Sequence, residues 1–243
     1  MKHELSVAKR TVQMLQRQET LQCHLDPNWV EADNDHILAA VIELGEMCDW
    51  LGYKWWKHVE FNVTSYEQAQ LELVDVWHFV MNKALTHTSP EAYIDFGIGM
   101  QKAFEALDDP NCERVDILFN KEHRAEYTSL VKHCMTLLLS GTVDLYILAC
   151  LSVNIGLDFD TLYGKYMAKS TLNLFRWNNG YGNGTYRKIW YSVYSTYTLE
   201  DNEVMLAIIA AKEFDSYEEL YTLLGVAYAH DETMRQIQEE VRI

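Results

Sequence analysis

The 243-residue chain is 49% hydrophobic and 12% aromatic, enough to bury a substantial core as one domain or two closely packed ones, so an ordinary globular protein is expected. Its net charge of −16 argues against a nucleic-acid polymer or an anionic membrane as partner, because both require basic surface to displace counterions. No run of about 18 apolar residues occurs, and the N-terminal MKHELSVAKR lacks the apolar stretch of a signal peptide, so a cytoplasmic protein with no membrane partner is expected.

Only three prolines occur and alternating Val/Ile/Thr runs are scarce, whereas helix-period stretches fill most of the chain, which predicts an all-α fold. A first helix is expected over 4–22, ending before the turn-forming Asp26-Pro27-Asn28. Asp33-Asn34-Asp35 can cap a second, which carries Ile37, Leu38, Val41, Ile42 and Met47 and stops near Gly52. In the third, Thr64 with Glu67 and Ser65 with Gln68 both fit capping-box spacing, and Leu71, Val74, Phe79 and Val80 carry the apolar face to near Thr86. Ser89-Pro90 supplies an N-cap and a first-position proline for a fourth helix reaching Leu107, broken by Asp108-Asp109-Pro110-Asn111. Helices at 121–140, 143–155 and 159–177 precede the glycine-rich 178–184, and two helices, at 202–213 and at 216–240 with room for a break in the second, complete the chain. Cys23, Cys48, Cys112, Cys134 and Cys150 are odd in number and lack CxxC spacing, so they are read as free thiols.

Glu43 and Glu46 lie three apart on the second helix, and Glu72 and Asp75 repeat that spacing on the third. Residues three apart share a helix face, so two facing helices could join these four carboxylates in an oxygen-only cage. Such a cage suits Mg²⁺, and Mg²⁺ points to phosphate chemistry. The bland alternative is a pair of solvated acidic faces, but both pairs sit within strongly apolar helices, where a buried acid needs a partner. A di-iron carboxylate bundle would want a Glu-x-x-His spacing on two helices; Asp75-x-x-His78 imitates it once and position 49 is Asp49, so that site would be incomplete.

Charge is distributed unevenly. Residues 161–199 contain no Asp or Glu, where an even spread of the 36 acids would leave about six, yet they carry Lys165, Lys169, Arg176, Arg187 and Lys188. This reads as an anion-attracting segment, and its part from Lys169 to Lys188, with no acid of its own, is expected to be loosely held until an anion binds it. Tyr53-Lys54-Trp55-Trp56-Lys57 is either a helix end with its rings on the core and its charges in water, or an aromatic wall with cations beside a nucleotide.

The pattern Glu43-x-x-Glu46, then Lys54-Trp55-Trp56-Lys57, then Glu72-x-x-Asp75 followed by Val76-Trp77-His78-Phe79, resembles the metal-binding helices of the dimeric dUTPases, within the all-α NTP pyrophosphohydrolase superfamily. Residues 163–169, Leu172-Asn173-Leu174-Phe175-Arg176, Asn178-Asn179-Gly180-Tyr181, Gly184-Thr185-Tyr186-Arg187-Lys188 and Glu200-Asp201-Asn202-Glu203 follow in that family's order and spacing. The resemblance implies a single all-α dUTPase-like domain over 1–243, a helical bundle carrying two metal-binding helices with a mobile C-terminal helical part. It implies a homodimer that hydrolyses dUTP to dUMP and pyrophosphate through Mg²⁺-activated water and that acts on dUDP as well.

By the same resemblance, Glu43, Glu46, Glu72 and Asp75 hold Mg²⁺ and serve catalysis, with Glu46 favoured as the base. Lys169, Arg176, Lys188 and Asn202 contact phosphates, and Gln16, Trp56, His78 and Phe79 contact base and sugar; Lys57, Asn173 and Tyr181 are further candidates. Two departures stand out. Gln16 matches the glutamine of a Leu-Gln…Asn motif whose asparagine has no counterpart here, and an insert at 191–199 lengthens the connection before Glu200-Asp201-Asn202. The competing readings are a dCTP or dual dCTP/dUTP pyrophosphohydrolase on the same scaffold, and a non-catalytic helical interaction protein.

Overall fold

The computed structural model describes residues 6–57, 63–86, 90–108, 121–211 and 216–241. Among them the elements are helices α1 (Val7–Leu25), α2 (His36–Trp50), α3 (Val63–Leu85), α4 (Pro90–Leu107), α5 (Lys121–Leu139), α6 (Leu145–Asn154), α7 (Phe159–Asn178), α8 (Asp201–Ala211) and α9 (Tyr217–Val241), with two short strands, β1 (Ile189–Tyr191) and β2 (Thr198–Glu200). The expected all-α architecture is therefore the observed one. Two compact units are distinguished, one over residues 1–166 and one over 167–243. No single helix among the described residues is long and apolar enough to cross a membrane.

The helix starts follow from short polar side chains that satisfy the free backbone donors of a first turn. The Asp35 carboxylate accepts from the Leu38 amide at 2.9 Å, so the last residue of Asp33-Asn34-Asp35 is the cap of α2. Asp144 caps α6 through the Tyr146 and Ile147 amides, at 2.9 and 3.1 Å. Pro90 is the first residue of α4, where its missing N–H costs nothing. The preceding Ser89, the break residues Asp109-Pro110-Asn111, Cys112 and the end of the 202–213 helix lie outside the described residues. One expectation fails locally: α3 begins at Val63, so Thr64 and Ser65 stand inside its first turn rather than at its cap.

In the first unit α3 packs along α2 and is central to the core. Leu71, Leu73, Val74, Val76, Trp77 and Val80 are all fully buried, so this helix is apolar around most of its circumference. Its polar groups are consequently paired. Trp77 Nε1 donates to Ser152 Oγ at 3.0 Å, and Gln70 Nε2 donates to the Ile155 carbonyl at 2.6 Å, which fastens α6 to α3. α1 turns an inward stripe of Thr11, Met14, Leu15, Gln18 and Leu21 to the core.

In the second unit the end of α7 leads through Gly180, at φ +96°, and a single turn of 3₁₀ helix into the strands. The Thr185 and Tyr186 amides both return to the Gly180 carbonyl, at 3.0 and 3.2 Å, which folds the glycine-rich stretch into a compact loop. The insert at 191–199 is not a plain connection: β1 and β2 pair antiparallel with Ile189 opposite Glu200 and Tyr191 opposite Thr198. Three residues per strand are too few for a period-2 signal to stand out in the sequence. The hairpin is held instead by burial of Trp190 within Phe175, Tyr186 and Tyr228, whose ring centroids lie 5.2–6.2 Å from its own.

Candidate functional site

Two groups of functional side chains emerge, one in each unit. On α2 and α3, carboxylate oxygens of Glu43, Glu46 and Glu72 all lie within 4.8 Å of one another. The spacing of three on α2 and the packing of α2 along α3 produce this approach. Three carboxylates so close repel one another unless a cation or donors stand between them. Trp50 Nε1 donates to Glu72 Oε1 at 2.9 Å, leaving an arrangement of hard oxygen ligands that fits Mg²⁺. Glu46 is exposed and Glu43 and Glu72 are half-buried, so the cluster reaches water.

Asp75 is the one expected ligand that does not join this group. It lies three residues beyond Glu72 on α3, and its Oδ1 stands 3.5 Å from His78 Nδ1. His78 is buried, with Nδ1 2.9 Å from the Val74 carbonyl and its ring stacked on Tyr166 at 4.0 Å between centroids. The contact to a carbonyl favours the proton on Nδ1, which leaves the buried Nε2, an atom with no partner among the described residues, as an acceptor. Beyond it runs a chain of core amides: Tyr166 Oη donates to Gln18 Oε1 at 3.1 Å, and Gln18 Nε2 donates to Asn82 Oδ1 at 2.8 Å. Burial, and then the charge of Asp75, push the Tyr166 phenol well above its ordinary range, so it remains a hydrogen-bond donor.

The structure thus sorts the residues expected to face a base and sugar. His78 and the half-buried Phe79 adjoin the polar chain on α3, and Phe79 stacks on His36 at 6.4 Å. Gln16 is exposed, whereas Gln18 and Asn82, neither singled out from the sequence, are the buried amides. A signal for Gln18 was present, since it falls on the Thr11, Met14, Leu15, Leu21 stripe and Gln16 does not. Trp55 and Trp56 are 87% and 63% exposed and meet edge to face at 5.6 Å, so their rings do not pack on the core. Lys57 beside them is exposed, and Lys54 pairs with Asp49.

The second group forms around Arg176 at the end of α7. Its Nε and Nη2 grip Asp201 Oδ2 and Oδ1 at 2.8 and 2.7 Å, Nη2 also reaches Asn202 Oδ1 at 3.0 Å, and Nη1 reaches Asn173 Oδ1 at 3.1 Å. Lys169 Nζ donates to the same Asn202 oxygen at 3.2 Å. Lys169, Asn173, Arg176 and Asn202, all anticipated from the sequence, therefore share one cluster. Lys188 does not: its ammonium lies 5.6 Å over the Tyr181 ring, and only its carbonyl meets the cluster, accepting from the Asp201 amide at 2.8 Å.

Asp201, only 1% exposed, is the residue missed here. A carboxylate so buried needs several donors, and it has the Arg176 fork and Tyr186 Oη at 2.7 Å. Burial, then the Asp201 charge, push the Tyr186 phenol far up, so it too stays a donor. Two cations of the segment without acids are thus answered from beyond it, Arg176 by Asp201 and Arg187 by Asp231. Asp201 lies two residues past its end, and pairing in space supplies what the local sequence lacks.

A family model described as dUTPase matches residues 10–181. Among proteins of curated function, none matches the chain.

Proposed function

This chain belongs to the all-α dimeric dUTPase family, and from that premise we propose that it hydrolyses dUTP to dUMP and pyrophosphate with Mg²⁺ as its metal. The observation that carries the reading is the mutual approach of the Glu43, Glu46 and Glu72 oxygens within 4.8 Å. These three carboxylates would hold the ion, with Asp75 next along the same helix. Mg²⁺ there would neutralise charge on phosphate oxygens and acidify a coordinated water.

The chain's own groups then divide the remaining work. Glu46, the exposed member of the cluster, accepts the proton of the attacking water. Arg176 and Lys169 bring positive charge to phosphate oxygens, and Asn202 orients both cations through one carbonyl oxygen. For the base, Gln18 and Asn82 present amide edges and Phe79 a ring face, while His78 Nε2 offers an acceptor to a hydroxyl. We take the active form to be a homodimer, which sedimentation as a two-chain species at micromolar concentration would support and a stable monomer would contradict.

The decisive assay is a panel of deoxynucleotides with Mg²⁺, scoring pyrophosphate against phosphate. Release of pyrophosphate from dUTP in preference to dTTP, dATP and dGTP is expected, with dUDP cleaved to phosphate. Equal turnover of all the triphosphates would end the dUTP assignment, and preference for dCTP would replace it.

A further inference from the structure

The family match ends at residue 181, so the hairpin and α9 lie beyond it. An apolar helix face would be enough to hold α9 in place, and Tyr228 already packs its ring against Phe175, Trp190 and Tyr186. Yet α9 also carries Asp231 at 0% exposure. Apolar residues of similar volume hold such a place at least as well as a buried ion pair, so burial alone does not account for this carboxylate.

What Asp231 grips is specific. Its Oδ1 accepts from the Tyr191 amide at 2.9 Å and its Oδ2 from Arg187 Nε at 3.0 Å, while Arg235 Nε contacts both oxygens at 3.0 and 2.9 Å. Arg235 Nη2 reaches on to the Ile189 carbonyl at 2.8 Å, so one network holds both ends of β1. Three residues earlier on α9, Tyr228 stacks on Tyr186 at 5.3 Å with rings 17° apart, and its hydroxyl oxygen accepts from the Arg187 amide at 3.3 Å. Tyr186 donates to Asp201, and β2, paired to β1, leads directly into Asp201 and Asn202. The path from Asp231 thus ends on the two residues that hold Arg176 and Lys169.

We propose that Asp231 is a positioning residue for the phosphate grip: by fixing β1 and Arg187 it sets where the hairpin delivers Asp201 and Asn202, and hence the aim of Arg176 and Lys169. This rests on the reading that Arg176 and Lys169 take phosphate oxygens. Asp231 touches no substrate; it acts through the strand pair. Its value is directional, because hydrogen bonds to a backbone amide and a guanidinium fix register in a way that ring packing does not.

The test measures kcat and KM for dUTP with Mg²⁺, together with melting temperature and helical circular dichroism, for Arg176→Lys, Asp231→Asn, Arg235→Gln and the double variant Arg176→Lys/Asp231→Asn. Supporting residues around a site typically contribute about 10- to 100-fold. Arg176→Lys should therefore lower kcat/KM toward a hundredfold, and Asp231→Asn about tenfold, chiefly through KM. Because both act on one cluster, the double variant should fall within about twofold of Arg176→Lys alone. Losses that multiply in the double variant would overturn the inference, since a general weakening of the fold adds independently. So would a folded Asp231→Asn with the parent KM while Arg176→Lys is impaired. If Asp231→Asn does not fold, Arg235→Gln at the exposed edge of the network decides: a KM raised about threefold supports positioning and an unchanged KM overturns it. An unimpaired Arg176→Lys would instead remove the phosphate reading itself, and this inference with it.

Discussion

The contact between Arg176 and Asp201 is the most exacting place to perturb the second unit. Asp201→Asn preserves shape but replaces an acceptor oxygen with an amide that must face the guanidinium, where Asp201 Oδ1 and Oδ2 now accept at 2.7 and 2.8 Å. The side chains are 10% and 1% exposed, so water cannot take over the lost bond. Breaking a buried pair by removing one partner costs about 3–5 kcal/mol, against about 1 kcal/mol or less for an exposed pair. With a urea dependence of about 2 kcal/mol per molar, the unfolding midpoint should drop by about 1.5–2.5 M. Replacing both partners by apolar residues, Arg176→Met with Asp201→Leu, should restore most of that stability while lowering kcat/KM by more than tenfold, on the order expected when a phosphate ligand is lost. Midpoints from urea titrations followed by circular dichroism, alongside pyrophosphate release, separate the two effects. A midpoint shift worth less than about 1 kcal/mol in Asp201→Asn would show that the pair is solvated and would refute the reasoning.

Glu46→Gln should reduce turnover at least tenfold with the helical spectrum unchanged, because an amide weakens a metal cage and cannot accept a proton; a smaller loss in a Mg²⁺ titration would remove Glu46 from the site. Gln18→Leu should cost about 1–3 kcal/mol in thermal unfolding because it strands Asn82 and the Tyr166 hydroxyl, whereas Gln16→Ala should change stability by less than about 0.5 kcal/mol. The reverse order would mean that the inward face of α1 is wrongly identified. Burial, with the Lys83 charge adding and Asp35 opposing, holds the His36 pKa below its ordinary 6.5. The folded state thus binds this proton less readily than the unfolded one, so the contribution is fully present above pH 6.5 and is lost as pH falls through the lowered value. His36→Phe should accordingly flatten the decline of melting temperature on the acid side of neutrality; an unchanged profile would show that another group sets it.

Much of the fold could be read from local chemistry because helix boundaries are local events. Asp35, Asp144 and Pro90 act within one turn of where they stand, and the expected helix 159–177 differs from α7 by one residue at its end, and 216–240 from α9 by one residue at each end. The hairpin was not legible, because its strands are three residues long and its stability comes from Trp190 and from Asp231, forty residues away from Tyr191.

The same division runs through the candidate site. Spacing on a helix was sufficient to put Glu43 and Glu46 on one face, and Glu72 with Asp75 on another, because i and i+3 are neighbours wherever the helix is placed. Only the packing of α2 on α3 decided that Glu43, Glu46 and Glu72 converge while Asp75 turns to His78. Composition likewise revealed a cationic stretch at 161–199, but not which of its charges are already answered. Arg176 finds Asp201 and Arg187 finds Asp231 across 25 and 44 residues of chain. Charge pairing at such separations is settled by which side chains the fold buries together, since an ion enters a low-dielectric interior only where donors or opposite charges await it.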